Sequence, residues 1–216
     1  MFDIIHFSNN HLVVIFLFAI FLLICPKLIK NILPYSYLVE KILTFLIIFN
    51  VVFDQMIKYF SREYNVCISM PIGISFIVMY LAIAIFVFKK YHLFNVFFSW
   101  SIVSTIGDLW FFRDPNTTFL SIESTVFLLS KCLIIYCLIY LMEVRKFKIS
   151  DSAVKDNLLA CLLYFPFILA LNVLTSANYP YAFFNYNIIS ALIFTIISSF
   201  IYIPVAISDE LDLKGR

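Results

Sequence analysis

The feature that most constrains this chain is a series of seven long apolar runs, which take up most of its 216 residues. A helix needs about 20 predominantly apolar residues to cross the hydrocarbon core of a bilayer. The predicted spans cover residues 12–29, 37–60, 70–88, 93–112, 120–142, 158–174 and 184–207. We therefore predict an all-α polytopic membrane protein with seven transmembrane helices.

The composition excludes an ordinary soluble domain. Hydrophobic residues make up 63% of the chain and charged residues 13%, whereas soluble domains have about 45–50% and about 25%. Three glycines, seven prolines and no polar low-complexity tract leave no linker, so we predict a single transmembrane domain over residues 1–216. A net charge of +2 argues against nucleic acid as a partner, and membrane lipids are the expected partners.

Basic residues fall unevenly on the loops between the predicted spans. Such residues remain preferentially on the cytoplasmic side, which predicts an outer N-terminus, an inner C-terminus and a multi-pass location in the plasma or inner membrane. The opening MFDIIHFSNN lacks the basic stretch of a cleaved signal, so we expect the first run to be retained. The inner segments, including the adjacent ends of the spans, hold Lys27, Lys30, Lys41, Lys89, Lys90, Arg145, Lys146, Lys148, Lys155, Lys214 and Arg216, and the outer segments Lys58, Arg62 and Arg113.

The cysteines give no sign of a metal or redox site. Short paired spacings mark such sites, and Cys25, Cys67, Cys132, Cys137 and Cys161 show none. An isolated cysteine in an apolar run is usually a small hydrophobe. We therefore predict no metal and no cofactor.

Among the ionisable residues within the predicted spans, four stand out: Asp54, Asp108, Glu123 and Lys131. Each costs roughly 2.5–3.5 kcal/mol on insertion scales, so such groups normally face a protein interior, a partner or water. Lys131 lies deepest, roughly 16 Å into its helix at 1.5 Å per residue. For Lys131 we favour a cavity, and pairing with Glu123 or Asp108 is the main alternative.

The predicted topology places these groups at the same outer end of the bundle as Ser75, Asn172 and Asn178. Because each is costly against lipid, we predict that several of them converge on one outer-facing cavity. Asp54 and Glu123 are alternatively solvated helix ends, and Asp108 alternatively belongs to a packing seam of small hydroxylated residues. The predicted cavity residues are Asp54, Ser75, Asp108, Lys131 and Asn172.

Five stretches, in the same order along the chain, resemble the YwaF family of bacterial integral membrane proteins. Eukaryotic relatives of that family include a phospholipid acyltransferase that passes polyunsaturated acyl chains to ether lysophospholipids. The resemblance implies a lipid-processing membrane protein in which Trp100, within the fourth span, belongs to the substrate site. The stretches are FSNNHL at 7–12, MPIGIS at 70–75, FFSWSIVSTIGDLWFFRDP at 97–115, FLLSKCLIIYCLIYL at 127–141 and LNVLTSANYPY at 171–181.

The sequence departs from the family where its chemistry is concentrated. In the acyltransferase-like members a cysteine is implied to form the acyl thioester and a histidine to activate it. Ser75 and Lys131 stand at those positions, and Gly73 replaces a further histidine of the motif. A serine nucleophile needs an adjacent base, and a lysine serves as one only when it is neutral. If the third helix starts at Met70, Lys131 lies about 9 Å deeper than Ser75.

These features predict a phospholipid acyltransferase or lipid hydrolase with Ser75 as nucleophile and Lys131 as base. Asn172 or Asn178 is the candidate oxyanion donor. The first alternative is a non-catalytic protein that binds a lipid or amphiphile, with Lys131 on an anionic head group. A small transporter, or the membrane substrate-binding subunit of one, is less favoured. The predicted substrate-binding residues are Asp54, Trp100, Asp108, Glu123, Asn172 and Asn178.

Overall fold

The computed structural model describes residues 9–30, 36–62, 64–111, 122–183 and 186–204. These residues form an all-α structure, as predicted. One turn of 3₁₀ helix, Tyr91–Leu93, precedes the fifth helix. In chain order the helices are α1 Asn9–Lys30, α2 Ser36–Phe60, α3 Val66–Ser69, α4 Ile74–Phe86, α5 Phe94–Phe111, α6 Ile122–Glu143, α7 Ala153–Thr175 and α8 Ile188–Phe200.

Each predicted span corresponds to one long helix, but several helix boundaries differ from the prediction. α4 begins at Ile74, not at residue 70, because Pro71 disfavours a helical backbone at the preceding Met70 and Gly73 is the extended N-cap. α7 begins at Ala153, five residues before the predicted span, and has Asp156 in its first turn, where a negative charge complements the helix dipole. The predicted limits at 112, 120, 184 and 207 lie outside the described residues.

The short helix α3 was not predicted. It lies in the stretch between the second and third predicted spans, and the side chain of Asn65 caps it by accepting a hydrogen bond from the Cys67 backbone at 2.9 Å. Asparagine is among the strongest N-cap residues. The chain therefore enters α4 through a folded turn, α3 followed by the non-helical Met70–Gly73 stretch.

α5 is the most enclosed of the long helices, which explains its polar sequence. It packs against α4, α6, α7 and α8, and most of its side chains are buried. Seryl and threonyl hydroxyls on a buried helix can bond to its own carbonyls, as Ser101 does with Phe97 at 2.5 Å. The low hydropathy of α5 thus reflects contact with protein rather than with lipid.

The outer faces of the peripheral helices are apolar. On α7, Leu162, Leu163, Val173 and Leu174 are all exposed, as expected for side chains that contact lipid. By length and composition, α6 and α7 can each cross a membrane, and apolar stretches of 10–17 residues occur in α1, α4 and α8. Seven spans, the orientation and the single-domain organisation stay predictions.

Candidate functional site

A cavity of about 310 Å³ opens at the end of the bundle where α2 and α5 finish and α4 and α6 begin. We call this end the site end. Its walls come from α2, α3, α4, α5, α6 and the segment that follows α7. Apolar residues line much of the cavity, and the polar side chains on its walls include Asn50, Asp54, Lys58, Ser69, Ser75, Asp108, Ser130 and Lys131.

Three of these side chains form one hydrogen-bonded group, which we call the Ser–Asp–Lys cluster: Ser75, Asp108 and Lys131. The Ser75 hydroxyl donates to Asp108 Oδ2. Lys131 Nζ lies 2.5 Å from Ser75 Oγ and 2.5 Å from Asp108 Oδ2. The cluster joins α4, α5 and α6 at one point on the cavity wall.

The position of α4 brings Ser75 down to the level of Lys131. Ser75 is the second residue of α4, whereas Lys131 is nine residues beyond the start of α6, roughly 14 Å along that helix at 1.5 Å per residue. Their contact therefore requires that α4 begin deeper in the bundle than α6. The entry through α3 and residues 70–73 supplies that depth, which a helix starting at the interface would not.

Burial strengthens the electrostatic interactions within the Ser–Asp–Lys cluster. Lys131 is 1% exposed and Asp108 is 7% exposed, and the Lys131 ammonium also lies 5.0 Å above the centre of the Phe127 ring. A buried charge is tolerated when it is paired and hydrogen-bonded. Lys131 and Asp108 neutralise each other, and Asp108 was one of the two partners considered for Lys131.

A second ion pair lines the same cavity. Lys58 Nζ lies 2.7 Å from Asp54 Oδ2, and their side chains are 35% and 25% exposed. Gln55 also donates to Asp54 Oδ2 at 2.9 Å. The greater exposure of Asp54 and Lys58 makes this the wetter part of the site, and the Ser–Asp–Lys cluster the more enclosed part.

The segment after α7 covers the cavity and depends on Asn172. The Asn172 side chain accepts from the Tyr179 backbone at 2.8 Å and donates to its carbonyl at 3.0 Å. Tyr179 in turn donates its hydroxyl to the Val66 carbonyl at 2.6 Å. Burial raises the pKa of this hydroxyl, so it remains the protonated donor. Asn172 therefore shapes the cavity without lining it.

Gly107 on α5 leaves space for the segment that covers the cavity to pack against this helix. A Cβ at Gly107 would overlap the ring of Phe183, which lines the cavity. Phe183 also has a left-handed backbone, with φ 54°, a conformation that is rare for a large side chain. Neither Gly107 nor Phe183 was predicted, because only their close approach makes them relevant.

Four predicted substrate residues do not line the cavity. Asn172 is described above, and the Asn178 backbone donates to the Cys67 carbonyl at 3.0 Å. Glu123 is half-buried in the first turn of α6. Trp100 lies in a network near the other end of the bundle, where its indole donates to Asn157 at 2.8 Å. Of the predicted site residues, Asp54, Ser75, Asp108 and Lys131 line the cavity.

The network around Trp100 is centred on Asn157, which is 0% exposed. Its side-chain oxygen accepts from Trp100 and from Ser99, and its nitrogen donates to Ser198 and Ser199 at 3.0 Å each. Every polar atom of the Asn157 side chain is therefore satisfied, and these bonds join α5, α7 and α8. Within the described residues the Trp100 indole thus bonds to Asn157 and does not line the cavity, and its role in substrate binding stays a prediction.

Comparison with known proteins gives one match. Neither the curated proteins nor the solved structures contain a significant relative. The family model of the TMEM164 family matches residues 6–207, a range that includes every residue of the cavity wall. The apolar helices described above agree with a membrane location. The chain belongs to the TMEM164 family of transmembrane proteins.

Proposed function

We propose that this protein is a membrane-embedded enzyme that transfers or hydrolyses lipid acyl chains, with Ser75 as the nucleophile. The observation that carries the proposal is the Ser75 hydroxyl, which is held between a carboxylate and an ammonium group on the wall of a largely apolar cavity. A hydroxyl with a proton acceptor on one side and a positive charge on the other is suited to nucleophilic attack.

The contacts favour Asp108 rather than Lys131 as the proton acceptor. A base must accept the proton of the Ser75 hydroxyl, but Lys131 Nζ donates hydrogen bonds both to Ser75 Oγ and to Asp108 Oδ2. Asp108 already accepts the Ser75 hydrogen bond. We therefore assign the base role to Asp108 and the stabilisation of negative charge to Lys131, in place of the base role predicted for Lys131.

The proposed step begins when Ser75 Oγ attacks the carbonyl carbon of a lipid ester and its proton moves to Asp108. The ammonium of Lys131 stabilises the oxyanion that forms. The carbon–oxygen bond to the lysolipid then breaks, and the leaving oxygen takes the proton from Asp108. An acyl ester on Ser75 remains, which a second lysolipid alcohol resolves by transfer or a water molecule by hydrolysis.

The resemblance to the YwaF family supports the same site. Ser75 and Lys131 stand at the positions implied to carry that family's cysteine and histidine. Ser75 Oγ and Lys131 Nζ lie 2.5 Å apart. Gly73 stands where the motif has a further histidine, and a Cβ there would meet only Phe76, at 4.0 Å. This position thus has room for a Cβ, and it lines the cavity. In the proposed enzyme a serine therefore carries the acyl chain in place of the family's cysteine.

A second candidate is a protein that binds a lipid or amphiphile without turnover. It is favoured by the position of the predicted oxyanion donors, since the Asn172 side chain is used in holding the segment over the cavity and Asn178 does not line the cavity. In this candidate the polar end of the ligand contacts the Asp54–Lys58 pair, and the Ser–Asp–Lys cluster is structural.

A turnover assay separates the two candidates. The protein is reconstituted in lipid nanodiscs with a phospholipid that carries a deuterated acyl chain, with and without a lysophospholipid acceptor. Labelled product phospholipid indicates transfer, and labelled fatty acid indicates hydrolysis. Loss of a nucleophile commonly costs several powers of ten in rate, so Ser75→Ala should be inactive.

The matched control is Ser104→Ala, on α5 one turn from Asp108. The Ser104 hydroxyl is buried and has no hydrogen-bond partner in the part of the chain that the structure describes, so its removal should leave turnover unchanged. Tight retention of one lipid without any labelled product would support the binding protein instead. Equal turnover by the wild type and Ser75→Ala would exclude Ser75 as nucleophile.

A further inference from the structure

Five basic side chains lie on two neighbouring loops at the end of the bundle opposite the cavity. One loop joins α4 to α5, and the other joins α6 to α7. All five residues are exposed. We call this area the basic surface, and its members are Lys89, Lys90, Arg145, Lys146 and Lys148.

Glu40 holds the two loops together. Its carboxylate lies 2.9 Å from Lys89 Nζ and 2.9 Å from Arg145 Nε, so one residue of α2 bridges both loops. Glu40 is only 6% exposed, whereas the side chains of Lys89 and Arg145 are 45% and 35% exposed, so the carboxylate lies beneath the two basic groups. Glu40 thus brings Lys89 of one loop and Arg145 of the other together.

Aromatic contacts join the same two loops independently. The ring of Phe147 packs edge-to-face against Tyr91 and against Phe94, with centroid distances of 5.2 Å in both cases. Such rings often lie at the level of the lipid head groups. These contacts therefore pack the two loops together, and Tyr91 is of a residue type enriched at the level of the head groups.

The positive charge on this surface is only partly neutralised. In the part of the chain that the structure describes, no acidic group lies within ion-pair distance of Lys90 or Lys148. Lys146 lies 3.8 Å from Glu143, but their side chains are 75% and 62% exposed. A pair this exposed contributes little. The surface therefore carries uncompensated positive charge.

Two of the lysines occupy backbone positions that favour glycine. Lys89 and Lys146 both have φ 54°, in the left-handed region that is unfavourable for residues with a Cβ. Each lies just beyond the end of a long helix, where glycine is usual. A lysine at both positions places positive charge on the surface despite the backbone strain.

We propose that the basic surface binds the anionic head groups of the adjacent leaflet. Clusters of four to eight basic residues beside a transmembrane helix attract anionic lipids, and each charge near the surface changes the association by about fivefold. Each exposed ammonium can contact a lipid phosphate, and Tyr91 and Phe147 lie beneath them at the interface. The surface is separate from the cavity, so its ligand is a boundary lipid rather than a substrate.

The test measures the association of spin-labelled phosphatidylglycerol and spin-labelled phosphatidylcholine with the protein in phosphatidylcholine membranes. We expect the wild type to prefer phosphatidylglycerol by at least fivefold, and the preference to fall at high salt. The variant Lys90→Gln/Lys146→Gly/Lys148→Gln should lose most of it. These changes leave the Glu40 pairs intact, and glycine at position 146 relieves the backbone strain, so the variant should fold.

The matched control is Arg62→Gln, an exposed residue with φ 60° at the site end, which should keep the wild-type preference. A thermal unfolding curve for each variant verifies folding. An equal association of the two lipids with the wild type, or an unchanged preference in the triple variant, would overturn the proposal. Displacement of phosphatidylglycerol by soluble glycerol phosphate, at the same concentration as the lipid, would also overturn the proposal. The surface would then be a site for a free anion.

Discussion

The Lys131 ammonium and the Asp108 carboxylate lie 2.5 Å apart in a buried ion pair that joins α6 to α5. Neither residue has another charged partner among the described ion pairs. The charge of each is therefore acceptable inside the protein only because of the other. The Ser75 hydroxyl bonds to both, so the same pair fixes the orientation of the proposed nucleophile.

Removal of both members of this pair should cost less stability than the sum of the two single removals. Lys131→Met leaves Asp108 buried and uncompensated, and Asp108→Asn does the same to Lys131. Breaking a buried ion pair in this way costs about 3–5 kcal/mol. The double variant Lys131→Met/Asp108→Asn should be destabilised by clearly less than the sum, as measured by unfolding in mixed detergent micelles followed by circular dichroism.

The control for this comparison of single and double variants is the partly exposed pair Asp54 and Lys58. Asp54→Asn and Lys58→Met should each change stability by less than about 1 kcal/mol, because a partly exposed i,i+4 pair contributes little. Strictly additive effects at positions 108 and 131 would show that the two residues do not depend on each other.

Gly107→Ala should disturb the cover of the cavity. The new methyl group overlaps the Phe183 ring, so the ring must move away from α5, at a cost of about 1–3 kcal/mol. Gly73→Ser is the matched control, because a Cβ there meets only Phe76 at 4.0 Å and serine is a favoured N-cap. The measurement is thermal unfolding, together with the labelling rate of a cysteine introduced at position 130 on the cavity wall.

A faster labelling rate with Gly107→Ala, and an unchanged rate with Gly73→Ser, would agree with a cover held by Phe183. Identical rates in all three proteins would show that the ring does not limit access to the cavity.

The Asn157 network should be essential to the fold and not to the chemistry. Asn157→Ala leaves the buried Trp100 indole without its hydrogen-bond partner, and an unsatisfied buried group costs about 1–3 kcal/mol. We expect a loss of at least about 2 kcal/mol in unfolding free energy, with the rate per folded molecule unchanged. If Asn157→Ala were stable but inactive, Trp100 would be restored as a substrate residue.

The grouping of Asp54, Ser75, Asp108 and Lys131 could be predicted because burying polar side chains in a membrane is expensive. Because of that cost, such residues need a polar environment. Their common position near the site end indicates where that environment lies. It does not say which partner satisfies each residue. Asn172 and Trp100 look equally costly in the sequence, yet a backbone segment and a buried asparagine satisfy them.

Helix starts and close contacts were harder to predict. The start of α4 depends on the folded turn at α3, and an apolar run alone does not reveal how deep its first residue lies. Gly107 and Phe183 are 76 positions apart, so their contact leaves no local pattern. Glu40 likewise resembles an ordinary residue near a helix start until Lys89 and Arg145 are found beside it.

Ser75 and Lys131 stand at the positions of the YwaF family's cysteine and histidine, and both can be substituted by the family's residues. Ser75→Cys/Lys131→His should place an imidazole between a thiol and the Asp108 carboxylate, an arrangement that activates thiols. We expect reaction with a thioester-forming acyl probe, measured by the mass of the intact protein. Ser104→Cys/Lys131→His is the control and should not react, since Ser104 does not line the cavity. Equal reaction of both proteins would indicate unspecific thiol acylation.

The most direct test of the central claim is the site of the acyl adduct. The wild type is incubated with the deuterated phospholipid, quenched in acid and digested, and the peptide that contains Ser75 is sequenced by mass spectrometry. We predict a labelled acyl ester on Ser75 that is absent from Ser75→Ala and retained in Ser104→Ala. Turnover of the labelled lipid with no acyl group on Ser75 under any quench condition would contradict the account.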